Sequence, residues 1–65
     1  MMKVNSETLH LEAPVRLSDF LVQSGYQTAR VAVELNGNIV PKSQFDTVFV
    51  TDADTIEIVC FVGGG

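Results

Sequence analysis

The sequence predicts an α+β domain in which a mixed sheet of four or five strands packs against one helix. Three observations predict it: alternating apolar and polar residues near both ends, one short segment with helical spacing between them, and a composition typical of a folded globule. The chain has 65 residues, 46% hydrophobic and 18% charged, and this size allows a single core. We expect one folded domain over residues 1–62 and a flexible tail over residues 63–65.

The first strands are predicted near the N-terminus, where two short runs alternate between apolar and polar residues. The runs are Met-Lys-Val-Asn over residues 2–5 and Leu-His-Leu-Glu over residues 9–12, and turn-forming residues lie between them. This pattern indicates a β-hairpin. Pro14 ends its second strand, because proline cannot donate a ladder hydrogen bond.

One helix is predicted after this hairpin. Leu17, Phe20 and Leu21 are spaced so that their side chains share one helical face. Gly25 is well suited to the position just after the helix. The start is less well defined, because Ser18 is a good N-cap residue by type but would shorten an already short helix.

A second hairpin follows. Residues 31–35 alternate as a strand, Asn36-Gly37 is a strong hairpin turn, and residues 39–40 return as far as Pro41. We expect residues 43–45 to form one helical turn that places Phe45 in the core. Residues 48–50 are predicted to form a short extended segment.

The last strand is predicted over residues 56–62, after an Asp-Ala-Asp turn. Alternation places Ile56, Ile58, Cys60 and Val62 on one face. One helix can cover only one face of the sheet, so the opposite face should be open to water. We expect that open face to be a partner-binding surface with an apolar centre and an acidic rim, formed by Ala32, Glu34, Glu57, Val59 and Phe61. The alternative is a twist at the strand end that buries Phe61.

The charge pattern limits the classes of partner. Eight acidic and four basic side chains give a net charge of −4, which disfavours nucleic acid, since phosphates require a basic face. The acidity suits partners with basic docking surfaces. No apolar run is long enough to span a membrane, and the N-terminus lacks the apolar core of a secretion signal. One free cysteine without such a signal indicates a cytoplasmic protein.

No catalytic or metal-binding arrangement is recognisable within the chain. His10 is the only histidine, and we expect it at the surface. Cys60 is predicted to face the core and to behave as a small apolar residue. Asp52 and Asp54 fit ordinary turn chemistry. No glycine-rich phosphate loop precedes a helix, so no bound cofactor is expected.

The remaining candidate for chemistry is the glycine tail. Gly63 and Gly64 have no side chains, so they could enter a narrow channel and present the carboxylate of Gly65 to another active site. In that interpretation the carboxylate of Gly65 is the reactive group. The alternative interpretation is a frayed chain end.

The second half of the chain resembles a known family. The resemblance is carried by Val-Glu-Leu-Asn-Gly-Asn-Ile-Val-Pro over residues 33–41, by the Asp-Ala-Asp turn, and by Ile-Glu-Ile-Val-Cys-Phe-Val-Gly-Gly-Gly over residues 56–65. These segments are similar to the bacterial sulfur carrier family of thiamine biosynthesis, which is ubiquitin-like and has a β-grasp fold. That fold would place the last strand between the first strands of the two hairpins, parallel to strand one.

The resemblance also implies a chemical cycle. An E1-like adenylyltransferase would use ATP to adenylate the carboxylate of Gly65, and a cysteine-persulfide sulfur donor would convert it to a thiocarboxylate. Thiazole synthase would then take the sulfur into the thiazole ring. The chain would be a protein co-substrate of these enzymes and not a catalyst. Two positions depart from the family: Ala53 stands where glycine is frequent, and Arg16 where the helix often starts with serine or threonine.

Two alternatives remain open on the sequence. One is a sulfur carrier like the small subunit of molybdopterin synthase, which shares the fold and the Gly-Gly end. The other is a non-covalent β-grasp interaction module that binds through Val59 and Phe61 and has an inert tail.

Overall fold

A computed structural model describes residues 1–61 of the chain. It contains seven strands, one α-helix and two 3₁₀ turns. The strands are β1 (Met2–Val4), β2 (Glu7–Leu9), β3 (Val15–Arg16), β4 (Val31–Leu35), β5 (Asn38–Val40), β6 (Phe49–Val50) and β7 (Thr55–Cys60). The helix α1 spans Leu17–Gln23, and the 3₁₀ turns span Thr28–Arg30 and Lys42–Gln44.

The main sheet has five strands in the order β2-β1-β7-β4-β5. The last strand therefore lies between the first strands of the two hairpins. It runs parallel to β1 and antiparallel to β4. This arrangement confirms the β-grasp topology that the resemblance implied, with five strands in the mixed sheet.

The N-terminal hairpin forms as predicted, but its second strand comes earlier than residues 9–12. Strand β2 pairs with β1 from Glu7 to Leu9, and the turn consists of Asn5 and Ser6, whose φ angles are 49° and 71°. Two consecutive residues with positive φ make the tight reversal that a two-residue hairpin loop requires. Because the turn is shorter than predicted, the second strand begins at Glu7, two residues earlier than the predicted start.

The helix presents the face that its spacing predicts. Leu17, Phe20 and Leu21 are all buried in the core. Arg16 occupies the N-cap position without a side-chain cap. Two main-chain carbonyls instead accept hydrogen bonds from the first turn of the helix. Leu17 N–H donates to the carbonyl of Val48 over 2.8 Å, and Ser18 N–H to that of Phe45 over 2.9 Å. These bonds satisfy donors that a cap residue otherwise serves.

The second hairpin also matches its prediction. Asn36 and Gly37 have φ angles of 52° and 86°, and Gly25, just after the helix, has a φ of 89°. Phe45 is 4% exposed and packs in the core after its 3₁₀ turn.

A small second sheet was not predicted from the sequence. It pairs β3 with β6 in antiparallel register, with Val15 opposite Val50 and Arg16 opposite Phe49. Each strand has only two residues, which is too short for an alternation signal. The pairing holds the start of the helix against the segment that precedes the last strand.

The core lies between α1 and one face of the main sheet. Its members are apolar residues with low exposure: Met2, Leu17, Phe20, Leu21, Val31, Val33, Val40, Phe45, Val50, Ile56 and Ile58. The helix covers only this face. The opposite face of β4, β5 and β7 consequently stays open, next to the end of the last strand.

Candidate functional site

The end of β7 is fixed by several contacts. The N–H of Phe61 donates to the carbonyl of Arg30 over 2.8 Å, which extends the pairing of β4 and β7 by one step. The ammonium of Lys42 lies 5.8 Å from the centre of the Phe61 ring. Lys42 Nζ also donates to the carbonyl of Ala29 over 2.6 Å. The chain therefore leaves the sheet from a defined position.

The predicted tail follows this position directly. Gly63, Gly64 and Gly65, together with Val62, lie outside the described residues. Their assignment as a reactive tail remains a prediction from the sequence.

The open side of the sheet, which we call the exposed sheet face, contains four of the residues predicted for a partner surface, Ala32, Glu34, Glu57 and Val59, and Phe61 follows directly after β7. Val59 and Phe61 are 58% and 55% exposed, so the strand end does not bury the aromatic ring. Ala32 lies opposite Val59, and Glu34 lies opposite Glu57. A binding role for this face remains a prediction.

Ile39 belongs to the same surface and was missed from the sequence. It is 68% exposed and lies opposite Glu34 in the hairpin. A shallow groove of about 180 Å³ runs between β4, β5 and β7, and Ile39 and Val59 both line it. The signal was available, because the Asn-Gly turn fixes the register of β5 and places Ile39 on the face of Glu34.

Cys60 lies on the predicted face of β7, opposite Val31, but the prediction that it packs in the core is wrong. Cys60 is exposed, although its register partner Val31 is buried. The end of β7 extends beyond the part of the sheet that the helix covers, since the helix ends at Gln23. The following segment passes beside the strand end and leaves an open cavity of about 270 Å³, which Cys60 lines together with Tyr26. No part of the helix packs over Cys60, so its side chain stays exposed on the inner face of the strand.

Asp52 joins three separate parts of the chain. Its carboxylate accepts a hydrogen bond from Leu11 N–H over 2.9 Å and lies 3.2 Å from the ammonium of Met1. It also lies 3.3 Å from Nδ1 of His10, whose side chain is exposed as predicted. The hydrogen bond from Leu11 and the contact with the ammonium lower the pKa of Asp52. These contacts tie the loop after β2 to the turn before β7.

Asp54 closes the Asp-Ala-Asp turn. Its carboxylate accepts hydrogen bonds from Thr51 N–H over 2.7 Å and from Asn36 Nδ2 over 2.9 Å. Partial burial opposes its ionisation, but the hydrogen bonds from Asn36 and Thr51 outweigh it and lower the pKa of Asp54. Ala53 is not among the residues with positive φ, so the turn accommodates alanine without strain where the family often has glycine. Both aspartates act as turn residues, as predicted.

Neither a metal-holding cluster nor a membrane-spanning helix is found in the described part of the chain. Across residues 1–61, no group of three or more histidine, cysteine, aspartate or glutamate side chains could hold a metal ion. In the same range, no helix is long and apolar enough to cross a bilayer.

Comparison with known proteins decides the family. Residues 2–65 match the ThiS family. The chain belongs to this family. The resemblance to the ubiquitin-like sulfur carrier family of thiamine biosynthesis is thereby confirmed, and the match extends through the three glycines.

Two comparisons with individual ThiS proteins agree with the family match. The sulfur carrier protein ThiS of Bacillus subtilis is 41% identical over 49 residues, which cover 75% of this chain and 74% of that protein. The crystal structure of the thiamine biosynthesis protein ThiS of Geobacter metallireducens superimposes with a TM-score of 0.76. That structure is 31% identical and covers 98% of this chain and 97% of its own.

A third comparison is with a much longer protein. A thiazole synthase of Paramagnetospirillum magneticum is 42% identical over 62 residues, which cover 95% of this chain. The chain spans only 19% of the length of that relative. A domain similar to this chain is therefore part of a larger polypeptide in that organism.

Proposed function

We propose that this chain is a sulfur carrier whose Gly65 carboxylate is converted to a thiocarboxylate and supplies the sulfur of the thiamine thiazole ring. The observation that supports it most strongly is the family match, which includes the three glycines. The fold adds a physical reason. Strand β7 ends at Cys60, and the contacts of Phe61 with Arg30 and Lys42 fix the point from which the tail starts.

The chemistry requires activation by a partner, because a carboxylate is a poor electrophile. An E1-like adenylyltransferase would join the carboxylate of Gly65 to the α-phosphate of ATP and release pyrophosphate. The terminal sulfur of a cysteine persulfide would then attack the acyl carbon, and AMP would leave with the bonding electrons. A second thiolate would attack the Sγ of the donor cysteine in the resulting acyl disulfide. The S–S bond breaks, a new disulfide forms with the donor cysteine, and the acyl-bound sulfur leaves as the thiocarboxylate. The carrier itself binds no cofactor in this scheme and catalyses none of these steps.

Thiazole synthase is the proposed acceptor of the sulfur. The support is the thiazole synthase of Paramagnetospirillum magneticum, which includes a domain similar to this chain. Physical linkage of a carrier to the enzyme that uses its cargo raises the effective concentration of one for the other. For this chain, we expect the same encounter with a thiazole synthase, either as a separate protein or as a linked domain.

The exposed sheet face is the proposed docking surface for these enzymes. Val59 and Phe61 lie next to the start of the tail, and Ala32, Glu34 and Glu57 extend the same surface along β4 and β7. An enzyme bound there would receive the tail directly. The exposed fractions of Val59 and Phe61 support this role, since apolar side chains on an open face are available for burial by a partner.

Mass spectrometry of the intact protein tests the proposal. The purified carrier is incubated with ATP, a cysteine persulfide donor and the adenylating enzyme of the same organism. We expect a mass gain that corresponds to the exchange of one oxygen for sulfur, located in the C-terminal peptide. A carrier lacking Gly65 should show no gain while keeping the circular dichroism spectrum and unfolding midpoint of the full chain.

A C60S variant serves as the control for chemistry elsewhere in the chain. It should gain the same mass, because the proposed site is the terminal carboxylate and not the thiol. Absence of the mass gain in the unmodified carrier with its own adenylating enzyme would exclude the proposed function.

A further inference from the structure

Two carboxylates face each other on the exposed sheet face. Glu34 of β4 and Glu57 of β7 are direct register partners, and the Cβ atoms of such residues lie about 4.5–5.5 Å apart on the same face. Neither side chain takes part in an ion pair within residues 1–61. Like charges placed directly opposite each other destabilise a sheet. The free carrier therefore keeps an unfavourable pair in the middle of an open surface.

The surroundings of this pair are apolar. Ile39, 68% exposed, lies opposite Glu34 on the far side of β4. Val59, 58% exposed, lies two residues after Glu57 on the same face. The groove between these side chains includes both glutamates. A cation bound there would be partly shielded from water, where charge-assisted hydrogen bonds are stronger than at a fully solvated site.

We propose that Glu34 and Glu57 together bind one arginine side chain of the adenylating enzyme. A guanidinium presents five N–H donors in a planar fork, enough to bridge two carboxylates. Its methylene stem can pack on Ile39 and Val59. The inference rests on the proposed function and deepens it by naming the chemistry through which the partner recognises the carrier.

The adenylating enzyme is the partner that this charge pattern fits. Its active site must hold the phosphates of ATP, which requires basic side chains around the point that the carrier tail enters. A carrier with a net charge of −4 and two facing carboxylates on the exposed sheet face, along the strand that leads to its tail, is complementary to such a surface. Complementary charges speed the encounter and fix the orientation of docking.

The proposal predicts opposite effects on stability and on binding. Removing the two negative charges relieves repulsion in the free carrier, so its stability should increase. The same change removes the acceptors of the guanidinium, so affinity for the enzyme should decrease. A purely structural or purely solvating role predicts no loss of affinity.

The test compares E34Q/E57Q with the matched control E7Q/E12Q. Both variants lose two negative charges. Glu7 lies in the edge strand β2 and Glu12 in the segment after it, and both are exposed and do not line the groove between β4, β5 and β7. Unfolding of each free carrier is followed in urea, and binding to the purified adenylating enzyme is measured by calorimetry at low and moderate salt. We expect E34Q/E57Q to unfold at higher urea and to bind about tenfold more weakly or worse, whereas the control changes little.

A single charge reversal gives an independent measurement. In E57K the new ammonium can pair with Glu34 in the free carrier, so the variant should fold and be at least as stable as the original chain. It should nevertheless bind more weakly than E57Q, because its charge repels the arginine. Binding of E57K equal to that of the original chain would contradict the proposal.

The outcomes separate this inference from the proposed function. If the original chain forms a thiocarboxylate and E34Q/E57Q binds the enzyme as tightly as E7Q/E12Q, the arginine site is wrong and the carrier function stands. If the original chain forms no thiocarboxylate, the carrier function fails and this inference fails with it.

Discussion

The carboxamide of Asn5 binds both main-chain polar groups of Ile58. Asn5 Nδ2 donates to the carbonyl of Ile58 over 3.0 Å, and Asn5 Oδ1 accepts from its N–H over 2.7 Å. The backbone of β1 turns away at this point, since Asn5 has a φ of 49°. The side chain therefore continues the pairing with β7 where the parallel strand has ended. This clamp holds the middle of the strand that leads to the tail.

Replacing Asn5 with alanine should destabilise the domain. The change leaves two main-chain groups of β7 without partners, and it puts a less tolerant residue in a left-handed conformation. We expect the free energy of unfolding to fall by about 1–3 kcal/mol, measured by urea denaturation. N38A is the matched control, because the Asn38 side chain makes only a 3.5 Å contact at the surface. Equal midpoints for the two variants would show that the clamp contributes nothing.

Acid should destabilise the fold through Asp54. Its pKa in the folded state is lowered below the ordinary value of 3.8, so folding favours its ionised form. The resulting stabilisation is present above pH 3.8 and is lost as the pH falls through the folded-state pKa. We expect urea midpoints to decrease in this acidic range. D54N should show a smaller decrease, since residue 54 then no longer titrates. An identical pH profile for D54N would contradict the assignment.

Cys60 should react with thiol reagents in the folded protein. Its side chain is exposed at the end of β7, so labelling requires no unfolding. We expect one equivalent of reagent to be consumed under native conditions, at a rate that is insensitive to stabilising salts. C60S should change the free energy of unfolding by no more than about 0.5 kcal/mol, as is usual at exposed sites. Labelling that occurs only in urea would show that the thiol is buried in the folded protein.

The predictable parts of this fold are those with local causes. The spacing of Leu17, Phe20 and Leu21 alone predicts the buried face of the helix. The backbone preferences of Asn36 and Gly37 alone predict the second hairpin. The faces of the last strand follow in the same way, which is why the exposure of Val59 could be foreseen. The position of that strand in the centre of the sheet required the family resemblance.

The structural features that the sequence did not predict depend on contacts between residues far apart in the chain. The clamp between Asn5 and Ile58 joins positions 53 residues apart, and no local pattern marks it. Arg16 could begin the helix because carbonyls from another segment accept the first N–H groups. Cys60 has the alternation of a buried residue, but its exposure depends on where the helix ends. Sequence periodicity gives the direction of a side chain and not the extent of its cover.

Lys42 should restrain the residue from which the tail starts. Its ammonium lies 5.8 Å from the centre of the Phe61 ring and also donates to the carbonyl of Ala29. K42M removes both interactions at an exposed site, where a cation–π contact is worth about 0.5–1 kcal/mol. We expect the amide of Phe61, which donates to Arg30, to exchange with deuterium up to about fivefold faster.

The amide of Ile58 should keep its exchange rate in K42M, because the clamp of Asn5 is untouched. K3M is the matched control for charge, since Lys3 lies in β1 and its side chain forms no ion pair within residues 1–61. Unchanged exchange of the Phe61 amide in K42M would show that the main-chain bond to Arg30 alone fixes the strand end. Faster exchange restricted to Phe61 would instead show that the Lys42 side chain helps to set the point where the tail leaves the fold.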